Sequence, residues 1–212
     1  MVDLPFASAP SLAHRLAGAL DTEGRIWRAL EALGPLAGRE IAAIDVPGTG
    51  WIERLRDAGA APLVVEPATP LVVPVPDGAL DAVVAMWTAF RGIDAAELAE
   101  VDRVLRPGGR LLVVHDYGRD DVSGLRDPAA PEYTSWSRRE GPFLRDNGFR
   151  IRVVHCFWTF ETLEEAHAVL AGFGERGAAV AERLKRPRLT WNVAIYHRWQ
   201  GGVEPPDTPT DG

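Results

Sequence analysis

His115, Asp116 and Tyr117 stand side by side, and together they could move a proton. An imidazole, a carboxylate and a phenol are the side chains that serve most often as general acids and bases. They follow the apolar run Leu111-Leu-Val-Val114, so they sit where a buried strand ends. The bland reading is a strand-end histidine beside the solvated acidic loop of Asp120 and Asp121. A second group is Asp45, Gly48 and Gly50, with Glu66 about 20 residues further along. Glycines let a backbone pass close to a ligand, and a helix that follows them offers unpaired N–H groups. A carboxylate at the next strand end can accept charge-assisted hydrogen bonds from hydroxyls. The same residues also read as a plain strand-to-helix turn and a solvated strand end. Trp87 and Phe90 close another apolar run, either lining a pocket or packing in the core. The five histidines and Cys156 show no zinc-ligand spacing, so no metal is expected. A nicotinamide dinucleotide is excluded by the missing third glycine of its fingerprint.

These side chains need elements to hold them. Apolar runs at 41–46, 63–66, 80–87, 110–115, 150–160 and 189–199 read as strands. Helical spacing is found over 11–33, 51–58, 94–105, 132–146 and 162–184, the last broken near Gly172, Gly174 and Gly177, with Thr162 and Glu165 forming a capping box. Strands alternating with helices predict an α/β fold, a mostly parallel sheet covered on both faces. In such sheets ligands bind beyond the carboxyl ends of the strands.

Four segments in order carry a family resemblance. They are Ile44-Asp-Val-Pro-Gly-Thr-Gly50, Glu66, Val75-Pro-Asp-Gly-Ala-Leu-Asp-Ala-Val-Val84 and Leu105-Arg-Pro-Gly-Gly-Arg-Leu-Leu-Val-Val114. With Trp191-Asn-Val-Ala-Ile-Tyr-His-Arg198 as a closing antiparallel strand, the chain resembles a class I S-adenosylmethionine-dependent methyltransferase over roughly residues 35–199. The resemblance implies a Rossmann-like three-layer sandwich and S-adenosylmethionine as cofactor. It places Asp45, Gly48, Gly50, Glu66, Asp77 and Trp87 against the cofactor, and His115, Asp116 and Tyr117 toward a methyl acceptor.

The chain also departs from the family pattern. The loop between Asp45 and Gly50 is one residue short, and Pro47 removes a donor from it. Only four residues separate Glu66 from Leu71, whereas a parallel crossover takes about a dozen. The third strand and its preceding helix are therefore reduced or missing, and 71–75 is an extended return or an irregular edge. Asp77 is left as the one acidic group near the adenine position, or as the corner of a Pro-Asp-Gly turn. The apolar surface exposed by the lost helix predicts a cover by the N-terminal helix or by a homodimer partner. Two functions follow: a small-molecule methyltransferase, or an inactive homologue that has lost the cofactor and serves as a binding or scaffold module.

Composition narrows the partners. The net charge is −7 over 212 residues, which disfavours nucleic acid. No apolar run reaches the roughly 18 residues needed to span a membrane. The single cysteine and the absence of a signal-like start suit a reducing, cytoplasmic setting. Residues 1–10 read as an arm, 11–200 as one domain, and 201–212 as a disordered tail.

Overall fold

The computed structural model describes Leu16 and residues 18–45, 50–126 and 133–204. The strands are β1 (Ile41–Ile44), β2 (Leu63–Val65), β3 (Leu80–Met86), β4 (Leu105–Asp116), β5 (Arg150–Thr159) and β6 (Arg188–Trp199). They form one sheet in the order β2-β1-β3-β4-β6-β5. β1 pairs in parallel with β2 and β3, and β3 with β4. β6 runs antiparallel to both β4 and β5. This is the Rossmann-like α/β sheet expected, with its closing strand inserted in reverse.

The central strands are buried on both faces, as their continuous apolar sequence requires: Ile41 to Ile44 and Ala82 to Met86 are all buried. One face carries α1 (Arg25–Leu33) and α2 (Trp51–Asp57), through Ile26, Leu30, Ile52 and Leu55. The other face carries α3 (Ala95–Val104), through Leu98, Val101 and Val104. Asp94 caps α3 by accepting from the amides of Ala96 and Glu97.

The helical spacing read over 11–33 is interrupted. Leu20 bridges to Trp158, and Asp21 turns the chain with φ 44°. The Asp21 carboxylate then caps α1, accepting from the amides of Arg25 and Ile26 at 2.9 and 2.8 Å. The helix expected over 132–146 is reduced to the single turn α4 (Tyr133–Trp136), followed by turns. Gly141 passes so close to the Ser135 carbonyl that a Cβ there would lie 2.5 Å from it, and Pro142 lacks an N–H to continue a helix. The helical stretch over 162–184 divides at its glycines into α5 (Leu163–Leu170) and α6 (Gly174–Ala181). Thr162 caps α5 by accepting from Glu165, whose carboxylate accepts in turn from the Glu161 amide. Gln200–Gly202 form a 3-10 turn, docked on Asp102 through the Gly201 amide.

The lost crossover is resolved within the chain. Residues 71–75 form no strand; they return extended toward β3, burying Leu71 and Val73 beside Val65, Leu80 and Val101. This corrects the expectation that the N-terminal helix would cover that surface. α1 packs on the opposite face of the sheet, and Leu71 and Val73 do the covering. The segment is latched by α3. Glu100 accepts from the Val73 amide at 2.8 Å, while Arg103 donates to the Val73 and Val75 carbonyls at 3.1 and 3.0 Å. An isolated extended segment has no ladder partner, so these side chains satisfy its backbone. Replacing Glu100 with Ala should speed hydrogen exchange at the Val73 amide by about ten- to a hundredfold, the value of one hydrogen bond to a charged group. Unchanged exchange there would mean the segment is held by packing alone.

Candidate functional site

The strand order reverses at β1, whose neighbours are β2 and β3, so the carboxyl ends of these three strands bound the switch point. Asp45 follows β1 and is fully buried, its amide donating to the Val65 carbonyl at 3.1 Å. Gly48 lies outside the described residues. Gly50 opens α2 with φ 81°, in the left-handed region that the turn into the helix requires. Glu66 follows β2 directly and is exposed at the same end of the sheet. Asp77 is not brought to this end. It lies in the turn before β3, at the amino end of the strand, and pairs with Arg103 at 2.8 Å.

A cleft of about 690 Å³ opens between the loops after β2 and β3, and Asp45, Gly50, Glu66 and Trp87 are not in its lining. One wall is Pro67–Leu71, after β2; the other runs from Thr88 to Ile93, after β3, and on to Glu97 of α3. Burial and the neighbouring Asp94 raise the pKa of Glu97 in this wall.

The turn after β3 is strained. Trp87 and Phe90 adopt φ 57° and 55°, a region that bulky side chains rarely enter and that costs about 1–3 kcal/mol each. Three contacts hold it. The Thr88 hydroxyl donates to the Ile44 carbonyl at 3.0 Å, tying β3 to β1. Trp87 Nε1 donates to Asp116 Oδ1 at 3.0 Å. His115 Nε2 lies 3.0 Å from the Phe90 carbonyl and donates to it.

His115 and Asp116 therefore grip the same turn from opposite faces of the sheet, since successive side chains of β4 point to opposite sides. On one face His115 is fully buried against Trp136 and Phe143, at ring-centroid distances of 4.7 and 6.3 Å. Burial, first of all, drives its pKa down to about 3, so it stays neutral. On the other face Asp116 accepts from Trp87 and, at 2.9 Å, from Trp191 Nε1, and it forms an ion pair with buried Arg126. Above it the indoles of Trp51, Trp87 and Trp191 stack, with centroids 4.8 Å apart in the first pair and 5.6 Å in the second. Tyr117 is half-buried, and Arg119 lies over its ring at 5.7 Å.

The partners of His115, Asp116 and Trp87, among them Trp51, Trp191 and Arg126, are not among the residues that sequence motifs single out. The available signal was the richness in tryptophan, seven in the chain, with Trp51 directly after the glycine turn. Among the described residues no cluster of His, Cys, Asp and Glu could hold a metal ion. Cys156 is buried, and burial raises its thiol pKa, which suits an inert role.

Two outcomes follow from this geometry. Asp116→Ala should destabilise the protein by about 3–5 kcal/mol in urea denaturation, because Arg126 is left buried without its counter-charge. A loss under about 1 kcal/mol would show that Arg126 escapes to solvent instead. His115 binds its proton far less readily folded than unfolded, where the pKa is about 6.5. Its contribution to stability is thus intact above pH 6.5 and lost as pH falls toward 3, at about 1.4 kcal/mol per pH unit. His115→Phe should remove roughly 2–3 kcal/mol of the loss between pH 6.5 and 4.5. Equal slopes in the two proteins would mean that His115 protonates in place at no cost.

Comparison with known proteins places this architecture. Residues 22–113 match the family described as a methyltransferase domain. No curated protein matches the chain. Among solved structures, a putative type II methyltransferase from Anaeromyxobacter dehalogenans aligns at 17% identity, covering 81% of this chain and 94% of that one, with a TM-score of 0.50. A chain from the complex of the Haloferax volcanii Trm112 methyltransferase activator and a putative methyltransferase aligns at 17%, covering 92% and 98%, with a TM-score of 0.49. Haemonchus contortus phosphoethanolamine N-methyltransferase 2, in complex with S-adenosyl-L-methionine, aligns at 15%, covering 96% and 59%, with a TM-score of 0.47. The chain is methyltransferase-like: a methyltransferase-domain match runs from before α1 into β4, on a fold shared with the putative methyltransferase from Anaeromyxobacter dehalogenans.

Proposed function

We propose that this methyltransferase-like chain binds S-adenosylmethionine, with the nucleoside in the switch-point cleft, and transfers its methyl group to a small molecule. The observation that carries the reading is the cleft itself. Its volume of about 690 Å³ is in the range of cofactor sites, and it opens between the loops after β2 and β3. Glu66, at the end of β2, would accept from the ribose hydroxyls, and the start of α2 at Gly50 would face the carboxylate of the cofactor's methionyl end. When bound, the cofactor supplies an activated methyl on a sulfonium. The chain's part is to exclude water and hold the acceptor in line, and positioning carries much of such a reaction. His115, neutral and committed to Phe90, and Asp116, committed to two indoles and Arg126, act as positioning residues for the cleft wall and not as bases.

A second reading, binding without transfer, is favoured by one observation: the stack of Trp51, Trp87 and Trp191 fills the space above Asp116 where an acceptor would approach. One set of measurements separates the two. Calorimetric titration with S-adenosylmethionine and S-adenosylhomocysteine should give saturable binding at one site per chain. Glu66→Ala should weaken it about ten- to a hundredfold. Absence of binding to either compound at millimolar concentration would sink both readings. Binding without release of S-adenosylhomocysteine over a broad panel of small-molecule acceptors would leave the second.

A further inference from the structure

A separate feature of the same end of the sheet has no place in this account. The run Arg183-Leu-Lys-Arg-Pro-Arg188 puts four cations into six residues with no carboxylate among them, in a chain of net charge −7. It connects α6 to β6 and curls around a hollow of about 250 Å³, lined by Asp121, Val180, Arg183, Lys185, Arg186 and Arg188. We infer that this hollow is a binding site for the phosphate group of a small molecule.

The single acid in the lining is already committed. Asp121 Oδ2 accepts from the Thr190 amide and hydroxyl at 2.8 and 2.7 Å, pinning the loop after β4 to β6. Arg188 is fixed in place. It pairs with Glu23, and its guanidinium lies flat on Phe157, 3.3 Å from the ring centroid. Its Nε is a buried donor with no acceptor among the described residues. Lys185 and Arg186 are exposed and have no carboxylate partner among the described residues. Arginine forks match phosphate oxygens in pairs, and lysine adds a compact charge.

The hollow is open, so its shape does not separate a small molecule's phosphate from a lipid headgroup; the vesicle arm of the test does. The volume is below that of whole-ligand pockets, so the site holds the anionic end of a molecule whose body lies elsewhere. Arg188 stands opposite Thr159 and Val193 opposite Asp116, which puts the site about 17 Å along β6 from Asp116. The inference stands on the cation cluster alone and does not depend on S-adenosylmethionine binding.

The test is calorimetric titration of the full chain with inorganic pyrophosphate at low ionic strength, beside sedimentation with phosphatidylglycerol vesicles. Saturable binding at one site per chain is expected, weakening as salt is added. The doubly substituted Lys185→Gln, Arg186→Gln protein should keep its thermal midpoint, since both side chains are exposed, and bind at least about tenfold more weakly. Three results would overturn the inference: no saturation by about 10 mM pyrophosphate, equal affinity in the double variant, or binding to vesicles without binding to pyrophosphate.

Discussion

The turn after β3 is where the two faces of this sheet meet, and two adjacent side chains of β4 hold it in place. Asp116 reaches it through the Trp87 indole, and His115 through the Phe90 carbonyl. A strand alone could not keep two bulky residues in the left-handed region; a buried carboxylate and a neutral imidazole, each fully desolvated, can. The stack of three indoles and the Arg126 ion pair sit on the Asp116 side of that grip. Polar side chains at a strand end are usually read as chemistry. Here both are buried and committed to the turn after β3.

Much of the fold was legible because the strands are buried on both faces. Unbroken runs such as Val83 to Met86 and Leu111 to Val114 leave little choice of structure, and the six strands fall where those runs lie. The antiparallel β6 was legible only through the family resemblance, since periodicity says nothing of direction. The missing crossover could be counted directly from four residues. Its replacement could not, because the hydrogen bonds from Glu100 and Arg103 join segments about 27 residues apart through side chains. The long helix read over 132–146 failed at Gly141-Pro142, where local propensity yields to a close backbone contact.

The site was half legible. Asp45, Gly50, Glu66 and Trp87 do gather at the carboxyl end, as strand order requires. Asp77 goes to the opposite end because a turn that enters a parallel strand lies at its amino end. The assignment of His115 and Asp116 as chemical groups rested on residue type. Their true surroundings come from Trp136, Phe143, Trp191 and Arg126, partners far away in sequence.

The three-residue β2 is the outer edge of the sheet, with Leu63 and Val64 each more than a third exposed. A bare apolar edge invites other chains to add strands and polymerise. This edge is short, and proline bounds it on both sides, at Pro62 and at Pro67 and Pro70. Proline cannot donate to a ladder, so an incoming strand would find a register of only three residues. The short return from β2 to β3 thus leaves a blunt margin that resists sheet extension, and of the two sheet edges only the ten-residue β5 offers a long strand for backbone pairing.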